Sequence, residues 1–119
     1  MSEFGDALMG KCMDFSVRIV NLYKYLTEEK KEFILSKQLL RCGTSIGANL
    51  AEAQSAQSKN DFISKAYISL KESNESLYWL LLLYRTEYLN KDEYDSIRHD
   101  CNELKSILVS ITKRMTERK

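Results

Sequence analysis

Apolar residues recur along this chain in alternating steps of four and three, over residues 8–26, 35–53, 62–84 and 94–115. Such steps place the apolar residues on one face of an α-helix, and the resulting seven-residue repeat keeps that face against a neighbouring helix. No stretch alternates between apolar and polar residues as a β-strand would. The pattern therefore predicts an all-α fold built from four amphipathic helices.

Helix-capping residues lie in the gaps between the apolar stripes. Ser58 and Asn90 each precede an acidic residue by three positions, which is typical of the first turn of a helix. Thr27 is a candidate start for the second helix, and Ser36 is a later alternative. The short connections predict an antiparallel up-down-up-down four-helix bundle. The predicted helices cover residues 6–26, 29–56, 59–87 and 91–117 of a single domain, residues 1–119.

The composition argues against several classes of protein. The 119 residues include 18 Lys and Arg against 17 Asp and Glu, so the net charge is only +1, unlike that of a strongly basic nucleic-acid-binding chain. Hydrophobic residues make up 44% of the chain, enough for a core, which argues against intrinsic disorder. The lack of proline and the presence of only four glycines disfavour turn-rich β architectures.

Each of the cysteines, Cys12, Cys42 and Cys101, falls on an apolar stripe, and no two have the spacing of a zinc or redox motif. We expect buried free thiols, as in a reducing compartment. Residues 1–10 lack the features of a secretory signal, and the longest apolar run, residues 77–84, is too short to span a bilayer. These observations predict a cytoplasmic protein with no membrane partner.

The run of residues 77–84 is apolar all the way round its helix, whereas a surface helix needs only one apolar stripe. A monomer would leave part of this belt in water, so we predict that it forms an interface between copies of the chain. The alternative is that the belt lies at the closed centre of one bundle. The predicted interface residues are Tyr78, Trp79, Leu82 and Leu83.

Two glycines, Gly43 and Gly47, stand inside the second predicted helix, and each costs about 1 kcal/mol relative to alanine. Glycines four residues apart share a helix face, which Ala51 extends, and they allow a close approach. We expect an aromatic side chain from a neighbouring helix to occupy this face. A ligand groove is the alternative.

Polar residues interrupt the apolar faces of the second and third helices. If these helices form a hairpin, Arg41 faces Glu72, Ser45 faces Ser69, and Glu52 lies beside the free amides that begin the third helix. We predict a partly buried ion pair between Arg41 and Glu72, and favour a role in fixing helix register over a binding or catalytic site. The residues of this polar cluster are Arg41, Ser45, Asn49, Glu52, Ser69 and Glu72.

Enzymatic hypotheses find little support. The single histidine, His99, follows Ser96 by three positions, so the paired Glu-x-x-His motifs of a di-metal bundle are missing. No glycine-rich loop follows a strand, as phosphate binding would require. We therefore predict no enzyme activity, no catalytic, cofactor-binding or metal-binding residue, no cofactor and no small-molecule substrate. An enzyme that uses Arg41, Glu52 and Glu72 is the disfavoured alternative.

Basic residues gather at the end of the fourth helix, where they complement the negative end of the helix dipole. The alternative interpretation is a nucleic-acid contact. The candidate residues are Lys113, Arg114, Arg118 and Lys119.

The second helix also carries a motif, Gln-Leu-x-Arg and then Ser-Ile-x-Ala-Asn-x-x-Glu, formed by Gln38, Arg41, Ser45, Ile46, Ala48, Asn49 and Glu52. It resembles the motif of the family named for proteins encoded in 23S rRNA intervening sequences, and residues 58–63 and 66–72 also fit. The chain departs from that family at Gly47, where proline is common, and at Ala56, near which an arginine is usual.

This resemblance implies a homo-oligomer, typically a pentameric ring of bundles, with no known catalysis. One relative, the accessory protein of diversity-generating retroelements, partners a reverse transcriptase and binds nucleic acid through a basic surface. The resemblance thus predicts a non-enzymatic adaptor or assembly protein, with RNA or a nucleic-acid-processing protein as its partner. The alternative is a purely protein-binding homo-oligomer with no nucleic-acid role.

Overall fold

The computed structural model describes residues 2–117, and most of these residues are helical. These residues form four α-helices and no strand, so the all-α prediction is confirmed. The helices are α1 (Glu3–Glu28), α2 (Leu35–Ala53), α3 (Lys59–Arg85) and α4 (Lys91–Glu117).

In three of the helices, the side chain of the residue just before the helix caps the first turn. Ser2 Oγ accepts a hydrogen bond from the backbone N–H of Gly5 at 3.0 Å, and Ser58 Oγ accepts one from the N–H of Asp61 at 3.1 Å. At the start of α4, Asn90 Oδ1 accepts a hydrogen bond from the N–H of Glu93 at 2.8 Å. The carboxylate of Glu93 in turn accepts one from the N–H of Asn90, also at 2.8 Å. The capping predicted at Ser58 and Asn90 is therefore confirmed.

The second helix starts at Leu35, not at residue 29 as predicted, because the chain turns sharply before it. Lys31 adopts a left-handed backbone conformation with φ of 55°, which a right-handed helix does not tolerate. The carboxylate of Glu32 then accepts hydrogen bonds from the N–H groups of residues 34, 35 and 36, at 3.1, 3.0 and 2.7 Å. Glu32, which precedes the helix in the chain, thus accepts hydrogen bonds from the first-turn N–H groups that a capping serine or threonine would otherwise bind.

The Glu32 carboxylate is largely buried, and its environment pulls its pKa in two directions. Burial alone would raise the pKa, because it disfavours the charged form. Hydrogen bonds from the three amides and from Ser36 together outweigh that effect, so the pKa lies below its ordinary value of 4.5. The cap is therefore held in its ionised form at neutral pH.

One core runs the length of the molecule, which measures 48 × 23 × 21 Å. α2 packs on α1 and α3, and α3 packs on α4, whereas α1 and α4 touch only sparsely. We call this open junction the α1–α4 seam. The largest fully buried side chains are Phe15, Ile19, Leu26, Leu39, Ile46, Leu50, Leu80, Leu83, Leu104, Leu108, Cys12 and Cys42.

The two glycines of α2 let α1 approach closely. A Cβ atom added at Gly43 would lie 2.9 Å from Cγ1 of Ile19, and one added at Gly47 would lie 3.1 Å from Cβ of Cys12. The expected aromatic occupant is therefore wrong, because α1 turns a branched aliphatic side chain and a cysteine toward this face. The glycines serve helix packing, which offsets their low helix propensity.

Within residues 2–117, no helix combines the length and the apolar character needed to cross a membrane.

Candidate functional site

The predicted ion pair between Arg41 of α2 and Glu72 of α3 is present, and a second carboxylate of α3 joins it. Arg41 Nη1 lies 3.5 Å from Glu72 Oε2, while Nη2 of the same guanidinium contacts the carboxylate of Glu75. The Arg41 side chain is 51% exposed and that of Glu72 is 20% exposed. The pair is thus partly buried at its acidic end and open to water at its basic end, where ion pairs contribute little to stability.

Other members of the polar cluster bond mainly to their own helix. Ser45 Oγ donates to the carbonyl oxygen of Arg41 at 2.6 Å, and Asn49 Nδ2 donates to the carbonyl oxygen of Ser45 at 2.8 Å. The hydroxyl of Ser69 donates across the helix interface to the carbonyl oxygen of Ile46 at 2.5 Å. The predicted contact between Ser45 and Ser69 is therefore wrong, because Ser69 contacts the residue that follows Ser45 in α2.

Glu52 also differs from its expected place. Its Oε1 atom lies 2.9 Å from Nζ of Lys65, two turns into α3, and not at the amides of the first turn. Those amides are already served by the Ser58 cap. The hydrogen bond to Glu52 raises the pKa of Lys65, which keeps that lysine charged.

The polar cluster lies outside five surface cavities that residues 2–117 form. None of its members lines the four cavities of the α1–α4 seam or the groove between α1 and α2. In the part of the chain that the structure describes, no three His, Cys, Asp or Glu side chains are grouped so as to hold a metal ion. The geometry suits a set of contacts that fixes the register of α2 against α3.

The three cysteines are free and buried, as predicted. Burial raises the pKa of the thiols of Cys12 and Cys42 to about 11 and that of Cys101 to about 12. A thiolate is the reactive form of cysteine, so these groups are inert in the folded protein. His99 lies on the exposed side of α4 and does not approach them.

The apolar belt of α3 is only partly exposed. Tyr78 is 60% exposed and Leu81 is also exposed, whereas Trp79 and Leu82 are half-buried. Leu83 is fully buried and belongs to the protomer core, so its assignment to an interface is corrected. We call the exposed pair, Tyr78 and Leu81, the α3 ridge. Leu81 is not among the predicted interface residues, although it follows Tyr78 by three residues and so shares its helix face.

A second apolar surface lies between α1 and α2. It contains a groove of about 250 Å³ whose floor is formed by small residues of α2 and whose rim is formed by α1. Further along α1, Val17 and Val20 are also exposed. They follow Met13 by four and seven residues, so they lie on the same face of the helix. We call the surface formed by Met13, Val17, Gly47, Ala48 and Ala51 the α1–α2 groove. The small-residue face predicted from Gly47 and Ala51 was its only sequence signal.

The basic end of α4 is exposed where it is described. Lys113 and Arg114 both face solvent, and Arg114 Nη2 lies 3.4 Å from Ser110 Oγ. The remaining two candidates, Arg118 and Lys119, lie outside the described residues.

Cavities follow the α1–α4 seam along its length, with volumes of about 660, 290, 150 and 330 Å³ from the loop end toward the end that carries Arg114. They exist because the two helices touch sparsely. The largest, which we call the end cavity, lies where the α1–α2 and α3–α4 connections meet. Its residues come from distant parts of the sequence, so no motif or periodic pattern indicates it.

These features define a small all-α protein of four long helices with unlike apolar and charged surfaces. The model of the 23S rRNA-intervening sequence protein family matches residues 7–110, and the chain belongs to this family. It is also similar to a crystal structure of a protein of unknown function from the S23 ribosomal protein family of Bacteroides thetaiotaomicron. The two are 55% identical with a TM-score of 0.90, over 92% of this chain and 97% of that one. No curated protein matches the chain.

Proposed function

We propose that this protein is a non-enzymatic adaptor or assembly protein, an antiparallel up-down-up-down four-helix bundle whose copies join into a homo-oligomeric ring. A pentamer is the ring size that the resemblance to the family implies. The observation that carries the proposal is the presence of two unlike apolar surfaces, the α1–α2 groove and the α3 ridge, on different helices of one chain. Exposed apolar surfaces of this kind mark interaction sites.

The order of the contacts between helices supports the bundle. Across α2 and α3, Glu52 pairs with Lys65 and Arg41 pairs with Glu72, so residue numbers fall along one helix as they rise along the other. Such an order is what helices that run in opposite directions produce. The ion pairs between α1 and α4 follow the same order: Lys11 with Glu103, and Arg18 with Asp100.

The difference between the two apolar surfaces supports a ring. A groove of small residues can accept a protruding aromatic side chain such as Tyr78, whereas two grooves or two ridges fit each other poorly. A groove-to-ridge contact is heterologous, and heterologous contacts generate closed rings when the rotation between copies closes. The two surfaces therefore favour a ring over a two-fold dimer.

The test uses one charged substitution in each surface. Val17→Glu places a charge on the groove side, and Tyr78→Glu places one on the ridge. We expect each variant alone to give a smaller species than the parent by multi-angle light scattering, with helicity retained by circular dichroism. Mixed in equal amounts, the two variants should form a heterodimer, because each keeps the surface that the other lacks.

Phe33→Glu is the matched control, since Phe33 is an exposed apolar residue outside both surfaces. It should leave the size of the parent unchanged. If Val17→Glu and Tyr78→Glu both keep the size of the parent, the proposed interface is wrong. If they dissociate but do not recombine when mixed, the contact is not a groove-to-ridge contact.

We further propose RNA, or a ribonucleoprotein, as the partner of the assembly. The name of the family and the S23 ribosomal protein family of the solved relative support a partner of this kind. Lys113 and Arg114 supply exposed positive charge, which a ring would repeat in every copy. Arg118 and Lys119 would add to it.

Fluorescence anisotropy with a short structured RNA and a matched DNA duplex tests this role across a salt series. We expect saturable RNA binding that weakens steeply with salt, because phosphate contacts release counterions. Lys113→Glu with Arg114→Glu should abolish it. Lys71→Glu with Arg98→Glu, an equal change of charge at exposed positions elsewhere, should have a much smaller effect.

A purely protein-binding homo-oligomer is the second candidate, and the net charge of +1 per chain favours it. Absence of RNA binding at low salt, together with an intact ring, would establish this candidate in place of the first. Three buried free thiols are in keeping with a reducing compartment, so both candidates place the protein in the cytoplasm.

A further inference from the structure

The end cavity has the size and the chemistry of a small-ligand site. Its volume of about 660 Å³ lies within the range of about 300 to 1,000 Å³ typical of ligand pockets. It is formed where the ends of α1 and α3 meet the connections that follow them. Its lining includes Tyr25, Lys30, Tyr84, Arg85, Glu87 and Tyr88.

Three tyrosine rings line the cavity, which is rich in aromatic groups for its size. The ring of Tyr84 is held in place by Tyr94, on which it stacks with centroids 4.6 Å apart and planes 8° from parallel. Tyr25 is exposed and Tyr88 is half-buried, so both offer ring surface to a ligand. Aromatic side chains with accessible faces are the groups on which nucleobases stack.

Two cations and two carboxylates line the same cavity, and among residues 2–117 neither cation forms an ion pair. Lys30 Nζ lies 5.8 Å from the centroid of the Tyr25 ring, so positive charge and aromatic surface are adjacent. Arg85 is exposed and makes no ion pair among residues 2–117, whereas Arg18 and Arg41 are both paired with carboxylates. A phosphate group can accept two parallel hydrogen bonds from an unpaired guanidinium and a further charge-assisted hydrogen bond from a neighbouring ammonium.

The backbone around the cavity is held in an unusual conformation. Lys31 and Glu87, with φ of 55° and 70°, are the non-glycine residues with positive φ in the described chain. They stand in the two connections that meet at the cavity, where Glu87 lines it and Lys31 follows Lys30. Strained residues of this kind cluster at binding sites, because the surrounding structure must hold them there.

We propose that the end cavity binds a nucleoside phosphate, with the base against the tyrosine rings and the phosphate between Lys30 and Arg85. Glu87 would accept a hydrogen bond from an amino group of the base, as carboxylates do. The ligand is either a free mononucleotide or one nucleotide of a single-stranded RNA. The site does not depend on the RNA surface proposed above, since Arg114 lies roughly 32 Å from Glu93 along α4 at 1.5 Å per residue.

The test is a titration of the full-length, ¹⁵N-labelled protein with adenosine monophosphate, read from the backbone amide signals. We expect saturable shifts at Lys30, Tyr88 and Asn90, which surround the cavity. Adenosine and ribose 5-phosphate should each bind at least tenfold more weakly, because each lacks one half of the ligand. Ribose 5-phosphate binding as tightly as the mononucleotide would overturn the proposal, since the rings would then have no role.

Substitutions separate the two halves of the site. Tyr88→Ala and Arg85→Gln should each weaken binding of adenosine monophosphate at least tenfold. Tyr67→Ala and Arg98→Gln, at exposed positions that do not line the cavity, should leave it unchanged. Because Arg85 is exposed, its variant keeps the test valid even if Tyr88→Ala does not fold. Unchanged affinity in Arg85→Gln would overturn the assignment of the phosphate.

A single-stranded RNA of eight nucleotides distinguishes the two sources of the ligand. RNA binding that is lost in Arg85→Gln assigns the site to a nucleotide within a strand. RNA binding that persists in Arg85→Gln but is lost on charge reversal at Lys113 and Arg114 assigns the cavity to free mononucleotide. If no RNA binds while adenosine monophosphate does, the RNA role fails and this inference stands. If millimolar adenosine monophosphate shifts none of the cavity amides, the inference fails whatever RNA does.

Discussion

The indole N–H of Trp79 donates a hydrogen bond to the carboxylate of Glu75, 3.0 Å away and one turn earlier in α3. The same carboxylate contacts the guanidinium of Arg41 on α2. Glu75 therefore connects the polar cluster to the aromatic belt and sets the orientation of the indole ring beside the α3 ridge. One carboxylate of α3 is thus the link between the two features.

Removal of the Arg41 guanidinium should cost little. Because this side chain is half exposed, we expect Arg41→Met to lower the free energy of unfolding by less than about 1 kcal/mol, with a smaller effect at high salt. A double-mutant cycle with Glu75→Gln in denaturant melts measures the coupling. Arg98→Met, at an exposed position, is the control. A loss of several kcal/mol would mean that the pair is buried in the assembled protein.

Alanine should have opposite effects at two glycines. Gly10→Ala meets nothing within 4 Å in mid-helix, so it should stabilise the protein by about 1 kcal/mol. Gly43→Ala collides with Ile19, a stiff β-branched side chain, and should give a net loss of about 1 kcal/mol once overpacking is set against helix propensity. Thermal melts would measure both. In an Ile19→Ala background, Gly43→Ala should become stabilising, and a persistent loss there would refute the collision.

The Glu32 cap should make stability depend on pH. Its folded pKa lies below the ordinary 4.5, so its contribution is complete above that pH and is lost as the pH falls through the folded pKa. We expect Glu32→Gln to cost about 1 kcal/mol at pH 7 in denaturant melts. The difference in free energy of unfolding between this variant and the parent should shrink as the pH drops below 4.5. Glu28→Gln, at an exposed position in α1, is the control for the loss of one carboxylate.

Glycine at the strained position of the α3–α4 connection should stabilise the fold. The left-handed conformation costs an L-residue about 1 to 2 kcal/mol, and glycine avoids this at an entropic cost of about 0.5 to 1 kcal/mol. We therefore expect Glu87→Gly, at φ of 70°, to raise the free energy of unfolding by about 0.5 to 1 kcal/mol. Glu29→Gly, at φ of −95°, should lower it by a similar amount. Equal effects at both positions would contradict the role of φ.

The apolar periodicity predicted the number and type of the helices because their core stripes are long and regular. It failed in detail in α3, where the steps of four and three place Leu77 and Tyr84 on the apolar stripe. These two residues are only half-buried, whereas the neighbouring Ser76 and Leu83 are fully buried. In a run that is apolar all round, adjacent residues look alike, and the pattern does not indicate which of them faces the core. Ser76 can be buried although it is polar, because its hydroxyl donates a hydrogen bond to the carbonyl oxygen of Glu72 within the same helix.

The sites were harder to predict than the helices because they are assembled from residues far apart in the chain. The pairing of Arg41 with Glu72 could be predicted, since a hairpin of two regular helices places them opposite each other. The end cavity could not, because it joins Lys30 to Tyr88 through two connections whose conformation has no periodic signal. The Glu32 cap belongs to the same class, as it depends on the left-handed turn at the preceding residue.

The buried thiols give this protein internal reporters of its own opening. Cys12, Cys42 and Cys101 lie on α1, α2 and α4, one to each helix, and each becomes reactive only when its helix leaves the core. α1 and α4 touch each other only sparsely and each packs mainly on one neighbour, whereas α2 packs on both α1 and α3. An alkylating reagent should therefore label Cys12 and Cys101 before Cys42. The order of labelling, read by mass spectrometry, would record the sequence of events by which the native structure comes apart.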